Sequence, residues 1–198
     1  MERSLDIQRA EYSRRRLLAM PLAGTIAWSV VAAGGALLNT FQSAMLLFMA
    51  TGCIVYLGIA LSKLTGENFL DKTRPKNAFD ALFMHTVAMS LGVYAIAIPF
   101  FMLDASSLPL TVGILTGLMW LPLSWVIRHP VGLWHTGVRT AGVLAAWLAF
   151  PEHRFTAVAL VIVAVYAVTI VVLERRWQAL QRAGATAGSA PNGIAIPA

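Results

Sequence analysis

"LLAMPLAGTIAWSVVAAGGALLNTFQSAMLLFMATGCIVYLGIALS", residues 17–62, contains no Asp, Glu, Lys or Arg. One bilayer crossing takes about 20 apolar residues, so the stretch is long enough for two. The polar pair Asn39-Thr40 divides it. A tight turn there makes an antiparallel hairpin of Leu17–Leu38 and Phe41–Ser62. A helix on the surface of a soluble domain keeps a charged face toward water, and neither half has one. The expected fold is an all-α integral membrane bundle.

Working outward, four more apolar runs follow: Ala81–Leu103, Leu108–Ile127, Gly132–Phe150 and Phe155–Leu173. The expectation is therefore six transmembrane helices. Each spans roughly 30 Å of hydrocarbon at about 1.5 Å per residue, Gly132–Phe150 only just. Pro130 ends the fourth, because the residue before a proline is pushed out of helical geometry, and Pro151 ends the fifth. Composition agrees: 58% of the 198 residues are hydrophobic and 12% are charged, where a soluble domain has about 25% charged. Residues 1–16 form a basic arm and 17–173 the membrane domain. Residues 174–198 form a tail expected to be disordered after about residue 183, where "AGATAGSAPNGIAIPA" lacks any apolar period.

The basic residues set the orientation. Arg3, Arg9, Arg14, Arg15 and Arg16 lie in the arm, and Lys63, Lys72, Arg74 and Lys76 follow the second span. Arg128 follows the fourth, and Arg175, Arg176 and Arg182 follow the sixth. The opposite connections hold only Arg154. Both termini are expected in the cytoplasm. The first apolar run is too long for a signal-peptide core of about 7–15 residues, so cleavage is not expected. Within the arm, Asp6 and Arg9, and Glu11 and Arg14 or Arg15, have helical pair spacing.

The net charge of +6 does not point to nucleic acid, since the basic residues flank apolar runs and form no stripe with interleaved aromatics. Their expected partners are the lipid bilayer and its anionic lipids at the cytoplasmic face, at about 1 kcal/mol per surface Lys or Arg. Arg14, Arg15, Arg16, Arg128, Trp125 and Trp134 are read as interface residues. The single cysteine, Cys53, is read as a small buried hydrophobe. Close helix contacts are expected at Gly113 and Gly117, and at Ala19, Ala23 and Ala27. Pro99 and Pro122 should kink their helices.

The residues that need explaining lie in "GLMWLPLSWVIRHPVGLWHTGVRT", residues 117–140. Arg128, His129 and Pro130 make the turn between two spans. Arg139 lies roughly 10 Å into the next helix, with His135 one turn before it on the same face. At a span's centre an Arg costs about 2.5–3.5 kcal/mol on insertion scales. Either Arg139 snorkels toward the cytoplasm or it faces the bundle and holds an anionic group. His85, Asp80 and Ser124 fall at a similar level and complete the candidate ligand-binding set, with Asp80 a candidate partner for Arg139 or His135. A metal fits poorly: His129 and His135 lack helical pair spacing, and nearby arginines repel a cation. No cofactor is expected. His135 beside Arg139 should stay neutral, as a general base requires, yet no nucleophile motif accompanies it.

Leu121-Pro122-Leu123-Ser124-Trp125 resembles a run found in an uncharacterised family of small bacterial multi-pass membrane proteins. That family has an aromatic where Leu123 stands. Asn77-Ala78 would correspond to its Asn-Pro pair, and His85 to the polar residue about two turns later. A histidine often precedes the family's run; here Met119 and Trp120 stand there. The resemblance implies a membrane helical bundle and carries no activity. The functional expectation is a carrier or binding protein for a small, preferentially anionic molecule, with a polar pocket on the cytoplasmic side. The alternatives are a structural or accessory membrane protein and an intramembrane enzyme.

Overall fold

The computed structural model describes residues 3–71 and 73–188. Lys72 and residues 189–198, most of the tail for which disorder was expected, lie outside the described residues. Helix α1 (Leu5–Ser13) precedes α2 (Ala19–Leu37), α3 (Thr40–Gly52) and α4 (Ile54–Leu64). After a loop come α5 (Ala78–Gly92), α6 (Tyr94–Leu103), α7 (Leu108–Gly117), α8 (Trp120–Ile127), α9 (Val131–Ala149) and α10 (Arg154–Gly188). Among the described residues there is no strand. Helix α10 continues past residue 183, so residues 183–188 are helical rather than disordered.

The hairpin turn forms where expected. Leu38 is extended, and Asn39 opens α3 with a capping box: its side chain accepts from Gln42 N–H at 2.9 Å and the Gln42 side chain answers. Such a box satisfies two N–H groups that helix geometry leaves free. The break between α7 and α8 at Leu118-Met119 follows from Pro122, whose ring clashes with the carbonyl four residues back, that of Leu118. The expected span Phe41–Ser62 is in fact two helices bent by 45° at Cys53. Thr51 donates to the Leu47 carbonyl at 2.7 Å, a back-bond that bends helices, and Gly52 adds poor helix propensity. Cys53 is exposed at this bend, not buried as expected.

Among the described residues, four segments are long and apolar enough to cross a membrane: Ala19–Leu37, Ala78–Leu103, Ala105–Ile127 and Pro151–Thr186. The bent pair α3–α4 makes a fifth if counted as one span. Six were expected. Helix α9 matches the missing one in position but not in hydropathy, because it carries His135, Thr136, Arg139 and Thr140.

The connections separate to two ends. At one, α1 lies across α5 and α8. Tyr12 sits on Phe79, with ring centroids 6.0 Å apart. Asn77 caps α5 through Phe79 N–H and donates to the Gln8 carbonyl at 2.8 Å. The Arg9 guanidinium lies 3.8 Å over the exposed Trp125 ring. Arg15 pairs with Asp80 and Arg16 with Glu174, the latter at 2.8 Å. The expected pairs within the arm give way to these longer-range contacts, and Glu11 pairs with Arg3. Glu67, in the loop after α4, accepts Leu18 and Ala19 N–H at 2.8 Å each and so caps α2. At the other end Arg154 donates to Ser106 Oγ at 2.5 Å and lies 3.6 Å from Asp104.

Helices α2 and α10 pack most extensively, through small residues. A Cβ on Gly35 would meet Phe155 Cβ at 2.7 Å, and one on Gly24 would meet the Tyr166 ring at 2.5 Å. Ala19, Ala23 and Ala27 are buried, as are Gly113 and Gly117.

Candidate functional site

Arg139 has no solvent exposure and faces the bundle interior. It does not snorkel. Its Nε donates to the Gly113 carbonyl at 2.7 Å, Nη2 to Thr116 Oγ1 at 2.9 Å and Nη1 to Tyr166 OH at 3.2 Å. Nη1 also lies 3.5 Å from His135 Nε2. The guanidinium carbon stands 5.6 Å from the Trp28 ring and 5.4 Å from the Tyr166 ring. Every one of these partners is neutral. Among the described residues no carboxylate pairs with Arg139, although a buried charge ordinarily carries a partner of opposite sign.

Gly113 and Gly117 explain how α7 comes so near. A Cβ on Gly117 would lie 2.9 Å from Arg139 Cδ. The carbonyls of these buried glycines serve as acceptors, Gly113 for Arg139 and Gly117 for Thr136 Oγ1 at 3.0 Å.

His135 is fully buried and stacks on Trp120, 4.2 Å between centroids and 18° between planes. Its Nδ1 lies 2.8 Å from Thr169 Oγ1, which itself donates to the Val165 carbonyl at 2.8 Å. Thr169 has one proton and has given it to Val165, so Nδ1 carries the imidazole proton and Nε2 presents its lone pair to Arg139.

The other expected residues do not join this pair. Asp80 is held by Arg15 at the arm end. His85 is exposed, with Nδ1 2.7 Å from the Ala81 carbonyl of its own helix. At about 100° per residue, it stands far around α5 from Phe83, which faces inward. Ser124 Oγ accepts Leu133 N–H at 2.8 Å and so caps α9 from the preceding helix. Trp125 and Trp134 are both exposed. Arg128 is exposed in a left-handed conformation, φ 49°. Among the described residues no group of His, Cys, Asp and Glu could hold a metal ion.

Beside Arg139 is a cavity of about 180 Å³. Trp28, Thr116, Trp120 and Tyr166 form its wall toward Arg139. Met20, Val55, Leu82, Phe83, Val87 and Leu123 make it mainly apolar, and Thr51, Thr86, Ser90 and Tyr94 add hydroxyls. Tyr12, Arg15 and Glu67 line its arm end. Burial pushes the Tyr12 hydroxyl up to about 12, so it stays protonated as a donor. The hydrogen bond to Asp80 raises the Arg15 pKa above its already high ordinary value.

Thr116, Tyr166, Trp28 and Glu67 were missed in the sequence. A signal existed for Tyr166. Tyr166 and Thr169 are three apart, on one face of the aliphatic run "FTAVALVIVAVYAVTIVV". No curated protein and no solved structure matches the chain. Residues 8–176 match the family of unknown function DUF7010, and the chain belongs to that family.

Proposed function

We propose that this is a six-span inner-membrane protein, both termini cytoplasmic, that binds or carries a small anionic molecule in the cavity beside Arg139. The basic arm, the loop after α4, the Arg128 turn and Glu174 with its arginine partner share one end of the bundle, which supports that orientation. Helix α9 completes the six spans because its charge faces protein rather than lipid.

The observation that carries the binding function is Arg139, wholly buried with only neutral partners. An uncompensated charge in a low-dielectric interior attracts any anion that reaches it. Tyr166 supplies the contact. Its oxygen accepts from Arg139, its own proton has no acceptor among the described residues, and its ring lines the cavity.

The test is thermal denaturation of the purified full chain with benzoate and with neutral benzyl alcohol. Benzoate should raise the Tm well beyond benzyl alcohol, and both Arg139→Gln and Tyr166→Phe should remove the difference. Equal shifts from the two probes, or a difference that survives both substitutions, would overturn the proposal. A structural role without a ligand is favoured by one observation: Arg139 ties α7, α9 and α10 together by its own hydrogen bonds. That role alone predicts equal shifts.

A further inference from the structure

We infer that the ligand class is an anionic amphiphile taken laterally from the bilayer, with its phosphate in an arginine basin at the arm end and an acyl chain in the apolar cavity. This rests on the cavity being the ligand site.

A basin of about 510 Å³ is lined by Arg14, Arg15, Arg16 and Arg74 together with Glu11, Glu67 and Trp177. Arg15 and Glu67 line both the basin and the cavity, so the two hollows meet there. Three of the arginines have acidic partners: Arg15 has Asp80, Arg16 has Glu174 and Arg74 has Asp71. Arg14 is exposed and its side chain has no partner among the described residues. Neither carboxylate of the basin cancels it outright, since Glu11 is paired with Arg3 and one Glu67 oxygen is turned to the α2 N–H groups. A phosphate here would meet one free guanidinium and the spare N–H groups of three more, with the bidentate geometry that suits arginine.

Beyond the shared residues the walls turn apolar. Helix α5 packs on α1 and α6, with no comparable packing against α4. Val55 of α4 and Leu82, Phe83 and Val87 of α5 line the cavity on either side of that gap. A charged hollow continuous with an apolar one, open between two helices, matches a phospholipid in both charge and shape. A free phosphate would have no use for the apolar half.

The experiment measures Tm of the delipidated full chain in detergent with phosphatidylglycerol, phosphatidylcholine or sn-glycerol 3-phosphate. Phosphatidylglycerol should give the largest rise, phosphatidylcholine a small one and glycerol phosphate none. Arg14→Glu, at an exposed and unpaired position, should cut the phosphatidylglycerol shift severalfold. Val87→Trp, which fills the gap, should do the same. Equal shifts from glycerol phosphate and phosphatidylglycerol would overturn the amphiphile and leave the anion cavity standing. A phosphatidylglycerol shift unchanged in both variants would mean the lipid acts elsewhere and would also overturn the inference. No response to any anion, benzoate included, would end both proposals.

Discussion

A methyl group on Gly117 would sit 2.9 Å from Cδ of Arg139. The position of the buried charge and the absence of a side chain at 117 are therefore one structural fact. Gly117→Ala must displace an arginine held by several hydrogen bonds. It should cost about 1–3 kcal/mol, the usual range for overpacking, and lower the Tm. Gly113→Ala meets Ile162 and Val143 methyl groups at 3.3 Å. Those neighbours need give by only a few tenths of an ångström, and alanine gains up to about 1 kcal/mol of helix propensity. Its Tm should stay within a few degrees of wild type, and a larger fall at 113 than at 117 would contradict the geometry.

Arg139→Lys should not be harmless. Lysine has one ammonium on a flexible stem and cannot direct donors at once to Gly113, Thr116 and Tyr166. Leaving buried acceptors unpaired costs about 1–3 kcal/mol each. Thermal denaturation and the benzoate response should both suffer. A lysine variant with wild-type values in both would return Arg139 to an interfacial role.

Glu67 caps α2 across the chain, and two substitutions separate its shape from its charge. Glu67→Gln keeps an acceptor for Leu18 and Ala19 N–H and loses the favourable charge at a helix N-terminus, about 0.3–1 kcal/mol. Glu67→Ala also loses the cap, typically about 1 kcal/mol more. The Tm order should be wild type, then glutamine, then alanine.

Asp104 gives a pH dependence outside the spans. The Ser106 backbone N–H, the Ser106 hydroxyl and Arg154 hold its carboxyl below the usual range. A depressed folded pKa means the stabilisation is complete above the unfolded value of about 3.9 and is lost as pH falls through the lower folded value. Between pH 5 and 8 it contributes a constant amount. Asp104→Asn should lower the Tm at neutral pH and flatten its decline in acid. An identical acid decline in wild type and variant would assign the sensitivity to other groups.

Much of the fold was legible because it depends on length and hydropathy. The hairpin at Asn39, the turn at Pro130, the membership of an uncharacterised family and the shared face of His135 and Arg139 all follow from spacing or motif. What the sequence hid depends on directions in space. The bend at Cys53 comes from a threonine back-bond followed by a glycine, neither of which hydropathy registers. His85 was expected at the level of Arg139 but is exposed, because counting residues along a span estimates height and says nothing of azimuth. Asp80 found Arg15 instead of Arg139, since α1 folds back over the bundle end, and no local pattern announces that return. Glu67 lies in a loop that looked merely polar, yet it completes a helix that begins earlier in the chain.

The hydrogen-bond line through His135 runs one way. Protons point from Arg139 to Nε2, from Nδ1 to Thr169 and from Thr169 into a helix carbonyl that has nothing to pass on. Such a line cannot reverse without breaking at its backbone end, so it works as a strut rather than a wire. It fixes where the arginine stands and lets no proton leave along α10.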